Sequence, residues 1–460
     1  FKQKTAYEIS TRDWSSDVCS SDLSTLNNTP DQTMTGGAVD AQFGGAIYAQ
    51  ADLNRDGFKD LIVSSNTGSD QRGRIQVFNG SRQGFATTPS FTYEGPMDWA
   101  QVGASPVVAD VNGDGWPDLV VGATNYSGAQ AYTGAVMVFL GSATGFPATP
   151  SQVIEGPSTN SFFGFKLHGL GDFNGDGFAD IAVSAMGANG SAGQIYVFAG
   201  SSQGLNPTPV STLSGRAPWI YFGRIFDVGD VDGDGIADIV VGMTSPTGGI
   251  PGMAWVYKGT RTGYANTTSD TLFPVQQADS DLFGDTVTVL GDVDGDGFVD
   301  VAVGAPYHLG TNAAPTGLVT VYYGSAAGLT ASGRTQLLQG DDVPRLGLLG
   351  GNMLGNRDMN GDGYPDLLVG PSLYARPNDE TKPWPGSVWV YHGGPTGFTP
   401  KPKLLAWGQP QSRDELGTTL EAAQVMGDKS LDLLAGSPLY NGGPQHQGIV
   451  RVYRGVNARD

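Results

Sequence analysis

DVNGDGWPDLVVGA (Asp110 to Ala123) and DVDGDGIADIVVGM (Asp230 to Met243) each read as an acidic, glycine-punctuated loop running directly into an apolar strand. The nine-residue loop recurs as DLNRDGFKD (Asp52 to Asp60), DFNGDGFAD (Asp172 to Asp180), DVDGDGFVD (Asp292 to Asp300) and DMNGDGYPD (Asp358 to Asp366), giving six copies in all. Carboxylates or a carboxamide stand at positions 1, 3, 5 and 9, and glycine at position 6. Oxygens at that spacing can wrap a hard cation: Ca²⁺ takes about six to eight oxygen ligands, and glycine permits the turn that gathers them. The expected side-chain ligands are Asp52, Asn54, Asp56 and Asp60, then Asp110, Asn112, Asp114 and Asp118, then Asp172, Asn174, Asp176 and Asp180. They continue with Asp230, Asp232, Asp234 and Asp238, Asp292, Asp294, Asp296 and Asp300, and Asp358, Asn360, Asp362 and Asp366. Position 7 (Phe58, Trp116, Phe178, Ile236, Phe298, Tyr364) is expected to give its carbonyl to the ion and turn its side chain toward the core.

Residues 1–23 stand apart. KQKTAYEI and DWSSDVCSSDL back-translate to the two constant stretches of a short-read sequencing adapter, so this segment reads as a translated library artefact, disordered and outside the fold. Residues 24–460 are then the domain. The natural start is expected to be missing, and the lack of a leader peptide says nothing about secretion. The single cysteine, Cys19, falls in the artefact.

The chain carries 25 basic and 45 acidic side chains, of which three and four lie in residues 1–23, leaving 22 and 41 and a net charge of −19. The six loops hold 20 of those carboxylates. Six Ca²⁺ would add +12 and leave about −7, an ordinary soluble surface. The acidity is therefore ligand charge, and it argues against a nucleic-acid partner. No apolar run is long enough to span a membrane.

Successive loops begin 58, 62, 58, 62 and 66 residues apart, and a further 66 reaches QVMGDKSLD (Gln424 to Asp432), a seventh copy that has lost its metal-binding residues. Phe-Gly or a variant precedes each loop, at Phe43, Val102, Phe163, Phe222, Phe283, Leu349 and Leu416. A strand of form G-x-x-x-V-(Phe/Tyr)-x-G follows each, beginning at Gly73, Gly134, Gly193, Gly252, Gly317, Gly386 and Gly448, and a weaker fourth strand completes the unit. Seven units of four short antiparallel strands predict an all-β, seven-bladed β-propeller. The continuous apolar run after each loop fits a strand buried between blades, and the alternating run a strand farther out. The chain ends after the third strand of unit seven, while NNTPDQTMTGG (Asn27 to Gly37) is similar to the fourth-strand segment NPTPVSTLSGR (Asn206 to Arg216). The stretch Asp31 to Thr35 is therefore expected to close the ring as the outer strand of blade seven.

This combination resembles the FG-GAP repeats of integrin α-subunit propellers and their bacterial relatives, over about residues 25–456. The resemblance implies Ca²⁺ hairpins between the first two strands of blades 1–6, none in blade 7, on the lower face. It places ligand binding on the opposite, upper face. Aromatic residues in the loops assigned to that face, Trp99, Tyr126, Trp219, Tyr307, Trp384 and Trp407, are the candidate contacts, suited to protein hot spots or sugar rings. YARPNDETKPWPGS (Tyr374 to Ser387) is the longest candidate loop.

Enzymatic chemistry finds little support. Gly200-Ser201-Ser202-Gln203-Gly204 fits G-x-S-x-G, yet its counterparts in other repeats are plain hairpin turns without the serine. Of the four histidines, His168 and His392 read as structural, whereas His308 and His446 fall in loops where a ligand could reach them. The expectation is a monomeric, secreted or surface-exposed, Ca²⁺-stabilised adhesion module that binds extracellular proteins and is not an enzyme. A lectin with glycan pockets between blades is the alternative, and an accessory propeller of a polysaccharide-degrading enzyme the third.

Overall fold

The computed structural model describes residues 29–65, 70–217, 220–244, 252–275, 281–310, 316–326, 328–329, 333–340, 349–370, 386–408, 415–427, 430–440 and 446–455. Residues 1–23 lie outside them. The chain forms seven four-stranded antiparallel sheets whose first strands neighbour one another in a closed ring, a seven-bladed propeller. Blade 2 shows the plan: Val102–Ala109, Asp118–Ala123, Ala135–Phe139 and Gln152–Glu155 pair in sequence order from the axis outward. The acidic loop always joins the first strand to the second. In blade 4, for example, it lies between Ile225–Gly229 and Asp238–Met243.

The closing strand sits where the sequence places it. Gln32–Thr35 pairs antiparallel with Ile449–Tyr453, Gln32 opposite Val452 and Thr35 opposite Ile449, and completes blade 7. A propeller joined this way has no free sheet edge at its seam.

Blade-to-blade packing explains the repeated motif residues. The Phe-Gly aromatic or its aliphatic stand-in is buried at every junction, Phe163 and Phe222 at 1% and 0% exposure and Leu349 and Leu416 at 0%. Burying a side chain of that size contributes about 1.5–3 kcal/mol. Its backbone also bridges the opening glycine of the preceding blade's third strand, as in Phe163 with Gly134 and Phe43 with Gly448. Gly134 has φ +71°, and a Cβ there would overlap the carbonyl oxygen of Phe163, so only glycine admits the approach. Outward from the axis, Gln152 of blade 2 clasps Leu205 of blade 3 through two hydrogen bonds, Nε2 to the carbonyl at 2.6 Å and the amide to Oε1 at 3.1 Å.

The second strands are wholly buried, as the apolar runs predict. The third strands are nearly as buried. Alternating exposure appears instead in fourth strands such as Phe91–Glu94, because only the rim has solvent on one face. The seven first strands line an axial cavity of about 1060 Å³. Its polar groups are tied between blades. Asp227 lies 3.5 Å from His168 and accepts the Val289 amide at 2.9 Å, while Glu421 accepts from Gln50 at 2.8 Å and Arg357 at 3.1 Å.

Candidate metal centres and the opposite loop face

Each acidic loop is folded around its own carboxylates. In all six, the position-6 glycine amide donates to the position-1 aspartate Oδ2 at 2.8–2.9 Å. The position-7 amide donates to the position-5 aspartate Oδ1 at 2.8–3.0 Å. The position-6 glycines have φ between +85° and +96°, the left-handed turn their placement predicts. These bonds converge acidic side chains on a small volume. Ligand atoms of Asp230, Asp232 and Asp238 lie within 4.8 Å of one another, as do those of Asp292, Asp294 and Asp300. Buried oxygens Asp110 Oδ1 and Asp294 Oδ1 have no hydrogen-bond donor. A buried carboxylate oxygen with no donor is costly unless a cation meets it. The donor set is all oxygen, so the loops fit a hard divalent cation such as Ca²⁺.

Position 9 has a second role that spacing did not reveal. Asp60, Asp118, Asp180, Asp238, Asp300 and Asp366 are at most 1% exposed. Each accepts the position-2 amide on Oδ2 at 2.7–3.0 Å. Each also accepts, on Oδ1 at 2.8–3.0 Å, the amide of the glycine that ends the third-strand motif. Asp432 makes the same two contacts in the seventh loop, to Val425 and Gly455, although that loop lacks the other ligand residues. This aspartate is thus a staple between loop and third strand as well as a candidate ligand. Asp428 of the same loop lies outside the described residues. Burial pushes Asp118 and Asp180 up to about 6, and Asp238 and Asp300 up to about 7; the backbone hydrogen bonds oppose the rise and neighbouring loop aspartates add to it.

The position-7 side chains turn only partly toward the core, Ile236 packing against the core between blades 3 and 4. All six are half-buried, and three lie against the preceding loop. The Arg55 guanidinium sits 4.4 Å from the Trp116 ring, and a Cβ at Gly113 or Gly295 would meet Phe178 or Tyr364 at 2.8 Å. The core position is position 2, where Leu53, Val111, Phe173, Val231 and Val293 are buried. The reason is geometric: the loops crowd around one face, and Trp116, Phe178 and Tyr364 meet the adjacent loop there.

On the opposite face, Trp99 is 50% exposed in the loop between blades 1 and 2, and Trp407, at the end of the last strand of blade 6, is 48% exposed. Tyr126 is half-buried and packs with Met97 against the blade 1–2 core, so it and Trp99 share one sector. Tyr307 is half-buried in blade 5, its amide bonded to the Asp281 carbonyl at 3.1 Å. Trp219, Trp384 and nearly all of Tyr374 to Ser387 lie outside the described residues. The sequence reading missed Tyr132, 45% exposed with φ +52° in the second-to-third-strand loop of blade 2. Its only signal was its place two residues before Gly134.

All four histidines are paired with aspartates: His168 with Asp227, His308 with Asp281 at 2.5 Å, His392 with Asp366 at 3.2 Å and His446 with Asp40 at 3.0 Å. His168 is pushed down to about 4, chiefly by burial and then by Lys166. Gly200–Ser201 pairs with Gly204–Leu205 in a tight hairpin, and Ser201 Oγ donates to the Gly204 carbonyl at 2.8 Å. Ser81 and Ser142 make the same bond in blades 1 and 2, so this is a turn common to the blades rather than a strand–turn–helix nucleophile site.

Fold and loops together define a repeat propeller whose lower face is a circle of potential cation sites. The FG-GAP repeat family matches residues 163–198, 222–257 and 283–322, and the FG-GAP-like repeat residues 52–121. The chain is 33% identical over 220 residues to integrin alpha-3 of Cricetulus griseus, covering 46% of this chain and 18% of that protein. It is 41% identical over 148 residues to integrin alpha-7 of Homo sapiens, 32% of this chain and 12% of that one. With phosphatidylinositol-glycan-specific phospholipase D of Rattus norvegicus it shares 33% identity over 195 residues, 39% of this chain and 23% of the enzyme. The matched segment is thus under a quarter of each relative's length. The chain is an integrin alpha-like FG-GAP propeller. Among the described residues no helix is long and apolar enough to cross a membrane.

Proposed function

We propose that this propeller is a calcium-stabilised extracellular adhesion module that binds protein partners through its upper-face loops, as a monomer. Ca²⁺ fills the loops of blades 1–6, held by the side chains at positions 1, 3, 5 and 9 and the carbonyl at position 7. The ion would neutralise charge that is otherwise packed into each loop, and millimolar extracellular Ca²⁺ suffices even for weak sites. The observation that carries the binding reading is Trp99. This large aromatic is half exposed and held at φ +66°, a backbone state that costs a residue other than Gly, Asn or Asp about 1–3 kcal/mol. Among the described residues, its counterparts three residues before two other blade openings, Asp40 and Asn160, are of the kinds that tolerate this turn. A strained, exposed aromatic in the sector of Tyr126 and Tyr132 suits one dominant protein contact.

The test is binding of residues 24–460 to a panel of purified extracellular proteins and to a glycan array, with Ca²⁺ and with EDTA. A calcium-dependent protein hit that Trp99→Asn weakens at least about tenfold is expected. Glycan hits with no protein hit would replace the adhesion reading with the lectin one.

A further inference from the structure

Two of the six loops carry an extra carboxylate, and each has a cation brought to it from elsewhere in its blade. In the loops of blades 1, 2, 3 and 6, position 3 is asparagine, whose Nδ2 donates to the position-5 aspartate at 2.9–3.0 Å. In blades 4 and 5 position 3 is Asp232 and Asp294. A carboxylate cannot make that donation and adds a fourth negative charge. Lys258 Nζ lies 3.1 Å from Asp232 Oδ2, and Arg334 Nη1 pairs with Asp294 Oδ2. Among the described residues, no other position-1, position-3 or position-5 loop carboxylate is paired with a lysine or arginine.

The two cations arrive by different routes. Lys258 directly follows the third strand of blade 4, Met253–Tyr257. The equivalent residue in blade 5 is Tyr323. There Arg334, just ahead of the fourth strand Thr335–Gln339, stacks 3.9 Å from the Tyr323 ring centroid and donates to the Thr396 carbonyl of blade 6 at 2.7 Å. Two unrelated positions thus deliver a positive charge to the same place, only where position 3 is acidic. Asp294 Oδ1, the oxygen that Arg334 leaves, is buried without a donor and faces no competing partner.

We propose that Lys258 and Arg334 are tethered counter-cations that set the Ca²⁺ affinity of the blade 4 and blade 5 loops. This rests on the calcium reading given above. Each offsets the fourth carboxylate, so that loop and cation together carry the −3 of the asparagine-type loops of blades 2, 3 and 6. Each also repels the incoming ion. The pair keeps these two loops ordered without metal and holds their affinity down.

The decisive measurement is a Ca²⁺ isotherm by equilibrium dialysis on three proteins: wild type, the Lys258→Met and Arg334→Met pair, and the Lys258→Arg and Arg334→Lys pair. Two sites should bind about tenfold more tightly in the methionine pair, the repulsion expected between a unit cation and a divalent ion about 6 Å apart in water. The methionine pair should also melt lower than wild type in EDTA, whereas the charge-conserving pair should follow wild type in both assays. If the methionine pair does not fold, Lys258→Met alone carries the test, with one site shifting. Wild type that takes up Ca²⁺ and a folded methionine variant with the same isotherm would overturn the proposal and leave the calcium reading standing. No uptake by the wild type would overturn both.

Discussion

Gln32 and Phe85 hold each other between blade 1 and the strand that closes blade 7, the one blade built from both ends of the chain. Gln32 Nε2 donates to the Phe85 carbonyl at 2.7 Å, and the Phe85 amide donates to Gln32 Oε1 at 2.8 Å. Gln152 and Leu205 repeat this clasp between blades 2 and 3. Losing either clasp leaves a part-buried amide and carbonyl unmet, about 1–3 kcal/mol. At the seam the short strand Gln32–Thr35 is also the fourth strand of blade 7, so its release opens an edge. Gln32→Ala is therefore expected to lower Tm more than Gln152→Ala, measured by thermal melts in Ca²⁺. Equal losses would show that the seam is no weaker than an internal junction.

Asp118 and Asp432 make the same pair of backbone contacts, but only Asp118 sits in a loop with a full ligand set. Replacing Asp118 with alanine strands two buried amides and replacing Asp432 strands three, since Asp432 also accepts from Met426, a loss of roughly 1–2 kcal/mol for each amide. Asp118→Ala should in addition forfeit a metal site worth about 1.4 kcal/mol at ten times its Kd. The Tm drop of Asp432→Ala should thus be the same in Ca²⁺ and EDTA, and that of Asp118→Ala larger in Ca²⁺. Identical behaviour of the two variants would mean that position 9 is a staple alone.

Acidity should act in opposite directions on the metal-free and metal-loaded protein. Burial raises Asp238 and Asp300 to about 7 from an ordinary 3.8. A raised folded value means the native state prefers the proton, so this contribution is fully present below about 4 and is lost as pH rises through about 7. The metal-free fold thus gains from these groups as pH falls. Ca²⁺ needs them ionised and loses affinity over the same window. His168, pushed down to about 4, opposes the gain below 6.5, but it does so with and without metal. The difference in Tm between Ca²⁺ and EDTA should therefore shrink steadily from about pH 8 to about pH 5. A difference that holds constant would place the metal away from these aspartates.

What sequence could show followed from repetition. Blade number, the first-to-second-strand position of each acidic loop and the closing strand at Asp31 to Thr35 were all legible, because seven copies fix a register that one copy leaves ambiguous. The position-7 rings were misread because their neighbour is the adjacent loop, about sixty residues away along the chain. Separation in sequence also hid Lys258 and Arg334, which lie 26 and 40 residues from the aspartates they pair with. Upper-face loops vary from blade to blade, so repetition gave no register there and Tyr132 passed unnoticed.

Trp99 offers a way to separate what stabilises the ring from what the ring binds. Its φ of +66° is shared with Asn160, at +56°, in the equivalent loop between blades 2 and 3. Asparagine accepts this conformation because its short side chain can hydrogen-bond locally, whereas a bulky ring cannot. Half of Trp99 is in solvent, so its replacement forfeits only part of a tryptophan's burial. Relief of backbone strain and loss of apolar contact then nearly cancel. Trp99→Asn is expected to leave Tm within about 2 °C of wild type in Ca²⁺, since a change of 1 kcal/mol moves a large domain by only a few degrees. Partner binding should fall at least about tenfold, the loss of a modest hot spot. A Tm drop of about 5 °C or more would instead make Trp99 a packing residue of the blade 1–2 junction, its strain sustained by the fold rather than by recognition.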